Sequence, residues 1–218
     1  METNPSPMNN YQDLRRLCLE YAAVIGPPLF YDQQRVPLGA SRQAFEENTV
    51  IRRFLRLVAE AGYFAGHAED HLRRVAVEAG SIILIERGDR PLAGRGKERL
   101  CFLAHVAGVL HDIKRSEPEH ARLGAAEAGQ ILKGFDFAAD ERRMIVQAIA
   151  NHEAFQTPEI VADADGQLLS DALYDADKFR WGPENFTDTL WDMLALRKDE
   201  NIPLLFERFP RGMDGIAR

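Results

Sequence analysis

Histidine and aspartate are the residues of this sequence best suited to binding a metal ion. The chain has six histidines, at positions 67, 71, 105, 111, 120 and 152, and several lie in segments with the apolar pattern of core helices. Helical cores rarely contain so many imidazoles without a functional reason. Their number and placement favour a site built from several of them.

The adjacent pair His111 and Asp112 offers one nitrogen and one oxygen ligand, directly after the apolar run 103–110. Neighbouring residues of a helix point about 100° apart. Both side chains therefore reach a single ion only if it lies beyond or beside the end of a helix. A mixed nitrogen and oxygen set suits Mn, Fe, Co, Ni or Zn. The dipeptide alone is weak evidence, and its context must carry the prediction.

Two further groups have ligand chemistry. His67 and His71 are four residues apart and share a helix face, but no HExxH pattern follows, which excludes the zinc-peptidase arrangement. Asp175 and Asp177 are two residues apart and cannot share a face, so we expect one ligand from that pair. His105 is expected to pack internally.

The apolar pattern is helical almost throughout and contains no convincing strand. We expect an all-α fold of at least seven helices. The run 81–85 is assigned to helix because of its position and length, and the segment 88–96 is a loop. The expected helices lie at about 11–25, 42–61, 64–86, 98–113, 118–133, 140–152, 167–180 and 186–198.

Five segments, taken in chain order, resemble the motifs of the HD superfamily of metal-dependent phosphohydrolases, a helical family with ligands in the order H…HD…H…H…D. The resemblance covers about residues 60–182. The segments agree in order and in flanking context. They are HLRRV at 71–75, VLHDI at 109–113, HARLGA at 120–125, IANH at 149–152 and DADKF at 175–179.

The resemblance implies a helical bundle like that of HD domains and a divalent metal cofactor, with one or two ions of Mn, Fe, Co, Ni or Zn, and with Mg as a further candidate. With two ions, Asp112 would bridge, and His120 and His152 would be ligands of the second. With one ion, those two histidines would contact substrate or support other ligands. In either case His67 matches no ligand of the family, and it would support a ligand or lie on the helix surface. The implied core ligands are His71, His111, Asp112 and Asp177.

The resemblance also implies hydrolysis of a phosphomonoester or phosphodiester, with a nucleotide or another small phosphorylated compound as substrate. A divalent ion activates water and neutralises a phosphoryl oxygen. Cationic side chains would stabilise the added charge, and Glu153 or an unligated carboxylate would assist proton transfer. The cations of the loop 88–97 either face solvent or cover the substrate. The candidate catalytic residues are Asp112, Lys114, Arg115, Glu153 and Lys178, with Arg180 as a further cation.

The sequence departs from the branch of the family that cleaves cyclic dinucleotides. That branch has Gly and Lys after the H-D-I segment, where this chain has Lys114 and Arg115, and its G-Y-P motif is missing after His152. Two rival functions stay open. One is a sensor that binds a nucleotide without turnover, and the other is a di-iron oxygenase with a similar ligand set.

The charge and composition of the chain indicate which kinds of partner to expect. The net charge is −7 and the pI about 5.4, which argues against a broad nucleic-acid surface. No apolar run reaches the length of a membrane span, and Cys18 and Cys101 form no paired motif. These features favour a cytoplasmic protein without a membrane partner, and a homodimer stays open. The predicted organisation is an N-terminal helical extension (1–40), a metal-binding domain (41–199) and a C-terminal tail (200–218).

Overall fold

The computed structural model describes residues 15–21, 23–24, 28–62, 68–88 and 94–178. The chain divides into two compact units, one formed by Gln34–Phe179 and the other by Met1–Gln33 with Arg180–Arg218. In the second unit, the described parts are helical residues 15–21 and 23–24 and the short helix α1 (Leu29–Gln33). The predicted boundaries at residues 40 and 199 stay a prediction, and the expected helix at 186–198 lies outside the described residues.

The described part of the larger unit consists of seven α-helices, and no strand occurs among the described residues. The all-α prediction of at least seven helices is confirmed. None of the described helices has the length and apolar character needed to span a bilayer. The helices are α2 (Arg35–Glu47), α3 (Thr49–Glu60), α4 (Ala68–Arg87), α5 (Lys97–Leu110), α6 (His120–Ile131, continued by a 3-10 turn at Leu132–Gly134), α7 (Ala139–Ala150) and α8 (Ala164–Lys178).

Helices α2 and α3 correct the single helix that was predicted to start after Ser41. Helix α2 already begins at Arg35. It tolerates Pro37 because this proline lies in the first turn, where a backbone N–H has no partner within the helix in any case. Asn48 then separates the two helices. Its backbone is extended, and its side-chain Oδ1 accepts hydrogen bonds from the backbone N–H groups of Val50 and Ile51, at 2.8 and 3.1 Å.

Helix α5 is the centre of the larger unit and packs against α2, α3, α4, α7 and α8. From Leu100 onwards, all of its residues except Phe102 are buried, as expected of a helix that is apolar on every side. It crosses α4 at very short range, since a Cβ added to Gly108 would lie 2.4 Å from the Cα of Ala76. This crossing aligns the end of α5 with the start of α4.

The loop between α4 and α5 is anchored to acidic residues at the start of α7 and α8. Arg87 forms an ion pair with the buried carboxylate of Asp165, which also accepts a hydrogen bond of 2.8 Å from the backbone N–H of Arg95. The Arg95 side chain pairs with Asp140. Arg95 is therefore bound within the fold, which disagrees with both proposals for this residue, a solvated loop cation and a substrate cover.

Candidate metal centre

The ends of five helices bring together six side chains of the predicted ligand set. His71 lies in the first turn of α4, His111 and Asp112 directly follow α5, and His120 is the first residue of α6. His152 lies two residues beyond α7, and Asp177 is in the last turn of α8. Three of these ends are the carboxyl ends of α5, α7 and α8, whose negative dipole charge favours a cation, and the other two are the amino ends of α4 and α6, whose dipole charge opposes it.

Four donor atoms form the first half of the cluster. The Nε2 of His71 lies 3.3 Å from the Nε2 of His111, 3.3 Å from Asp177 Oδ1 and 3.6 Å from Asp112 Oδ2. The Nε2 of His111 lies 3.5 Å from Asp112 Oδ2 and 3.6 Å from Asp177 Oδ1. Ligand atoms held about 2.1 Å from one ion at tetrahedral angles lie about 3.4 Å apart. The spacing of these atoms fits one shared cation.

The second carboxylate oxygen of Asp112 faces the other two histidines. Its Oδ1 lies 3.4 Å from the Nε2 of His152 and 3.9 Å from the Nε2 of His120. His120 is at the edge of the cluster, with its ring edge-on to that of His152 at 5.2 Å between centroids. The two oxygens of Asp112 thus have different sets of neighbours, as a bridging carboxylate would have.

Backbone contacts fix the orientation of the two most buried imidazoles. The Nδ1 of His111 lies 2.8 Å from the carbonyl oxygen of Gly108, and the Nδ1 of His152 lies 2.6 Å from that of Ile149. An Nδ1–H that donates to a carbonyl leaves Nε2 with its lone pair free for a metal. Two buried atoms, Asp112 Oδ1 and His152 Nε2, lie 3.4 Å apart but form no hydrogen bond with each other or with any other described residue. Such atoms are costly unless an ion or water binds them, so this donor set fits a divalent metal.

In the absence of a metal, a protonated His111 supplies positive charge between the two carboxylates, and a metal ion bound there would displace that proton. Burial disfavours a charged His111, but the carboxylates of Asp112 and Asp177 outweigh this effect and raise its pKa to about 10. Burial likewise opposes ionisation of both carboxyl groups. The neighbouring histidines overcome it and hold the pKa of Asp112 and of Asp177 well below the usual value. Two ionised carboxylates in a buried position favour positive charge between them.

The predicted catalytic side chains lie around this cluster. Arg115 Nη1 is 3.3 Å from His120 Nε2 and 3.7 Å from Asp112 Oδ1, and 60% of its side chain is exposed. Glu153 Oε2 is 3.8 Å from His120 Nδ1. Lys178 pairs with Asp177, which favours a role as salt-bridge partner of that aspartate over a contact with a phosphate.

The remaining candidates are less informative. Lys114 is half-buried two residues after Asp112. Asp175 is exposed, so of the two neighbouring aspartates only Asp177 reaches the cluster. His67 and Arg180 lie outside the described residues.

A second polar cluster was not predicted. His105 is buried as expected, but its Nε2 lies 2.9 Å from Ser41 Oγ and 3.5 Å from Cys101 Sγ. Burial lowers the pKa of His105 to about 4 and raises the pKa of the Cys101 thiol to about 11. A protonated, inaccessible thiol is a poor nucleophile, so this trio packs the core. The spacing of Cys101 and His105, i and i+4, was the only sequence signal for it.

Comparison of the chain with protein-family models, with curated proteins and with solved structures found no match. The resemblance to the HD superfamily therefore stays a prediction that rests on the motifs of the sequence.

Proposed function

We propose that this protein is a metal-dependent phosphohydrolase that cleaves a phosphomonoester or phosphodiester in a nucleotide or another small phosphorylated compound. The observation that carries the proposal is the position of Asp112. Its Oδ2 faces His71 and His111, and its buried Oδ1, without a hydrogen-bond partner among the described residues, faces His152. A carboxylate shared in this way suits a centre of one or two divalent ions.

The side chains of the cluster would bind the metal through imidazole nitrogens and carboxylate oxygens, a set that suits Mn, Fe, Co, Ni or Zn. A divalent ion bound there would lower the pKa of water and neutralise a phosphoryl oxygen. The ligands would be His71, His111, Asp112 and Asp177, with His152 and His120 at the second position.

The residues at the edge of the cluster support phosphoryl chemistry. Arg115 is the most exposed cation beside Asp112 and His120, and a rotation of its side chain would direct the guanidinium to a phosphate oxygen. Glu153, next to His120, is suited to accept a proton from water or to donate one to the leaving oxygen. Loss of Arg115 should raise KM for the phosphate ester, because the contact contributes to binding.

The test combines metal analysis with phosphate release from AMP, p-nitrophenyl phosphate and bis-p-nitrophenyl phosphate. We expect His111→Ala and Asp112→Ala to lose metal and at least about 100-fold in kcat/KM, because even residues that only support a ligand contribute 10- to 100-fold. Intact metal content and turnover in both variants would overturn the assignment.

A matched pair of aspartates supplies the control. Asp177→Asn should lose metal and activity, whereas Asp175→Asn, two residues away and exposed, should keep both. The number of ions per chain, measured for the wild type and for His152→Ala, separates the one-ion centre from the two-ion centre. Iron with an oxygen-dependent spectral change, or nucleotide binding without turnover, would favour the rival functions.

A further inference from the structure

Two residues of the described chain, other than glycines, have backbone dihedrals in the left-handed region. They are Glu119, with φ of 57°, and Phe155, with φ of 67°. Glu119 directly precedes His120, and Phe155 follows His152 by three residues. Bulky residues rarely adopt this conformation, and strained backbone concentrates at functional sites. The position of both residues next to the metal centre makes Phe155 a candidate for a functional role.

The side chain of Phe155 is also exposed to solvent to an unusual degree. Its relative exposure is 70%, although phenylalanine is among the residues most often buried. Phe155 therefore has both a strained backbone conformation and an apolar side chain that is exposed to water. Neither feature is explained by packing within the described residues.

The loop that carries Phe155 is held in place at both ends. The buried side chain of Asn151 donates to the carbonyl of Glu159 at 3.0 Å and accepts from its backbone N–H at 2.9 Å. Asn151 also donates to Ser170 Oγ at 3.2 Å, which ties the loop to α8. A loop closed in this way can hold one residue in a strained conformation.

Phe155 is within reach of a substrate bound at the metal centre. Three residues span at most about 11 Å, which limits the distance between the Cα atoms of His152 and Phe155. Glu153, two residues before Phe155, contacts His120. The loop therefore begins at the metal centre, and the Cα of Phe155 lies within about 11 Å of that of His152, a distance that a bound nucleotide can span.

We propose that Phe155 determines specificity by stacking on an aromatic group of the substrate, such as a nucleobase. The inference rests on the proposed phosphohydrolase function and adds which part of the substrate is recognised outside the phosphate. Stacking on an aromatic face is tolerant of base identity. The protein is thus expected to prefer aromatic phosphates as a class, without strong selection among bases.

The experiment compares AMP with ribose 5-phosphate, which has the same phosphate and sugar but no base. Binding to the Mn²⁺-loaded full chain is measured by calorimetry with the phosphonate analogues of both compounds, named below by their parent compounds. A methylene group replaces the ester oxygen in these analogues, so that turnover does not consume them. The wild type should bind AMP more tightly. Phe155→Ala should weaken AMP binding roughly 5- to 100-fold and leave ribose 5-phosphate unchanged, whereas Phe155→Trp should retain the preference.

Ile160→Ala is the matched control, because Ile160 lies near Phe155 in sequence and is 93% exposed. It should bind both ligands like the wild type. Phe155→Gly should lose AMP affinity yet raise the melting temperature, since glycine adopts a positive φ without strain.

Equal or undetectable affinity of the wild type for AMP and ribose 5-phosphate would overturn the proposal, as would an equal loss for both ligands in Phe155→Ala. Metal-dependent phosphate release by the wild type would then still support the hydrolase. Failure of the hydrolase appears separately, as intact metal content and turnover in His111→Ala and Asp112→Ala.

Discussion

His105 and His111 lie in the same apolar stretch of the chain and are both fully buried, but their surroundings give them opposite properties. Burial without a nearby carboxylate lowers the pKa of His105 to about 4, whereas the carboxylates of Asp112 and Asp177 outweigh burial and raise the pKa of His111 to about 10. The difference depends on which carboxylates lie within reach of the imidazole. A buried histidine therefore has to be interpreted together with its partners.

His105 should make the stability of the protein depend on pH. In the unfolded chain its imidazole titrates near 6.5, and in the folded protein its pKa is about 4. As pH falls below about 6.5, the unfolded state binds the proton first. The free energy of unfolding should therefore decrease down to pH 4, by about 3 kcal/mol in total, and should not depend on this residue above pH 7.

The measurement compares the wild type with His105→Gln, which keeps a polar side chain near Ser41 but cannot titrate. Urea unfolding in EDTA at pH 7.5 and at pH 5.0 should show a loss about 2 kcal/mol larger in the wild type. Parallel pH profiles for the two proteins would contradict the assigned pKa.

Part of the residue-level site could be predicted from sequence and part could not. The periodicity of α8 indicated that Asp175 and Asp177 cannot share a face, and only Asp177 contacts the cluster. The distance of 3.9 Å between His120 Nε2 and Asp112 Oδ1 could not be predicted, because it depends on the conformation of the turn that precedes α6. Such distances depend on tertiary packing.

At the scale of elements, the end of α3 was predicted from the sequence, but the start of α2 and the break between these two helices were not. Gly62, with φ of 71°, follows α3 as predicted, because glycine adopts the left-handed conformation that ends a helix. The start of α2 at Arg35 was missed. Pro37 and Gly39 have low helix propensity, so the local sequence does not indicate that the helix begins before Ser41. The break at Asn48 was missed because the apolar pattern continues through it, and only its side-chain cap reveals the boundary.

The crossing of α4 and α5 gives a prediction about Gly108. A methyl group there would lie 2.4 Å from the Cα and 2.7 Å from the N of Ala76, so the two backbones would have to separate. Gly108→Ala should reduce the free energy of unfolding by about 1–3 kcal/mol. It should also weaken Mn²⁺ binding, since α4 carries His71 and His111 directly follows α5. Thermal unfolding and metal titration measure the two effects.

Gly39→Ala is the control for that substitution. Gly39 lies inside α2, and an added Cβ would have no atom within 4 Å. The change should therefore stabilise the protein by up to about 1 kcal/mol and leave metal affinity as it is. If Gly108→Ala behaved in the same way, the close crossing would not position the ligands.

At the scale of the whole molecule, the candidate centre depends on helices that are distant in sequence. The ligands His71 and Asp177 are contributed by α4 and α8, which run antiparallel, with the pair Arg87 and Asp165 at their other ends. The sequence indicated the ligand types and their order. It could not show that five helix ends converge, because the convergence results from the packing of α4, α7 and α8 around α5 and of α6 on α7.

This arrangement predicts that metal binding stabilises the folded chain. Asp112 and Asp177 remain ionised with little exposure to solvent, and a divalent ion would satisfy Asp112 Oδ1 and His152 Nε2, which form no hydrogen bonds with described residues. At a concentration 100 times its Kd, Mn²⁺ should add about 2.7 kcal/mol to the free energy of unfolding. For a chain of this size, that corresponds to a rise of about 5–10 °C in Tm, measured by calorimetry after EDTA treatment.

Because the net charge is −7, K⁺ at matched ionic strength controls for general screening. Asp112→Asn should abolish the Mn²⁺-specific increase, and an equal increase with K⁺, or in that variant, would mean that the cluster does not bind the metal.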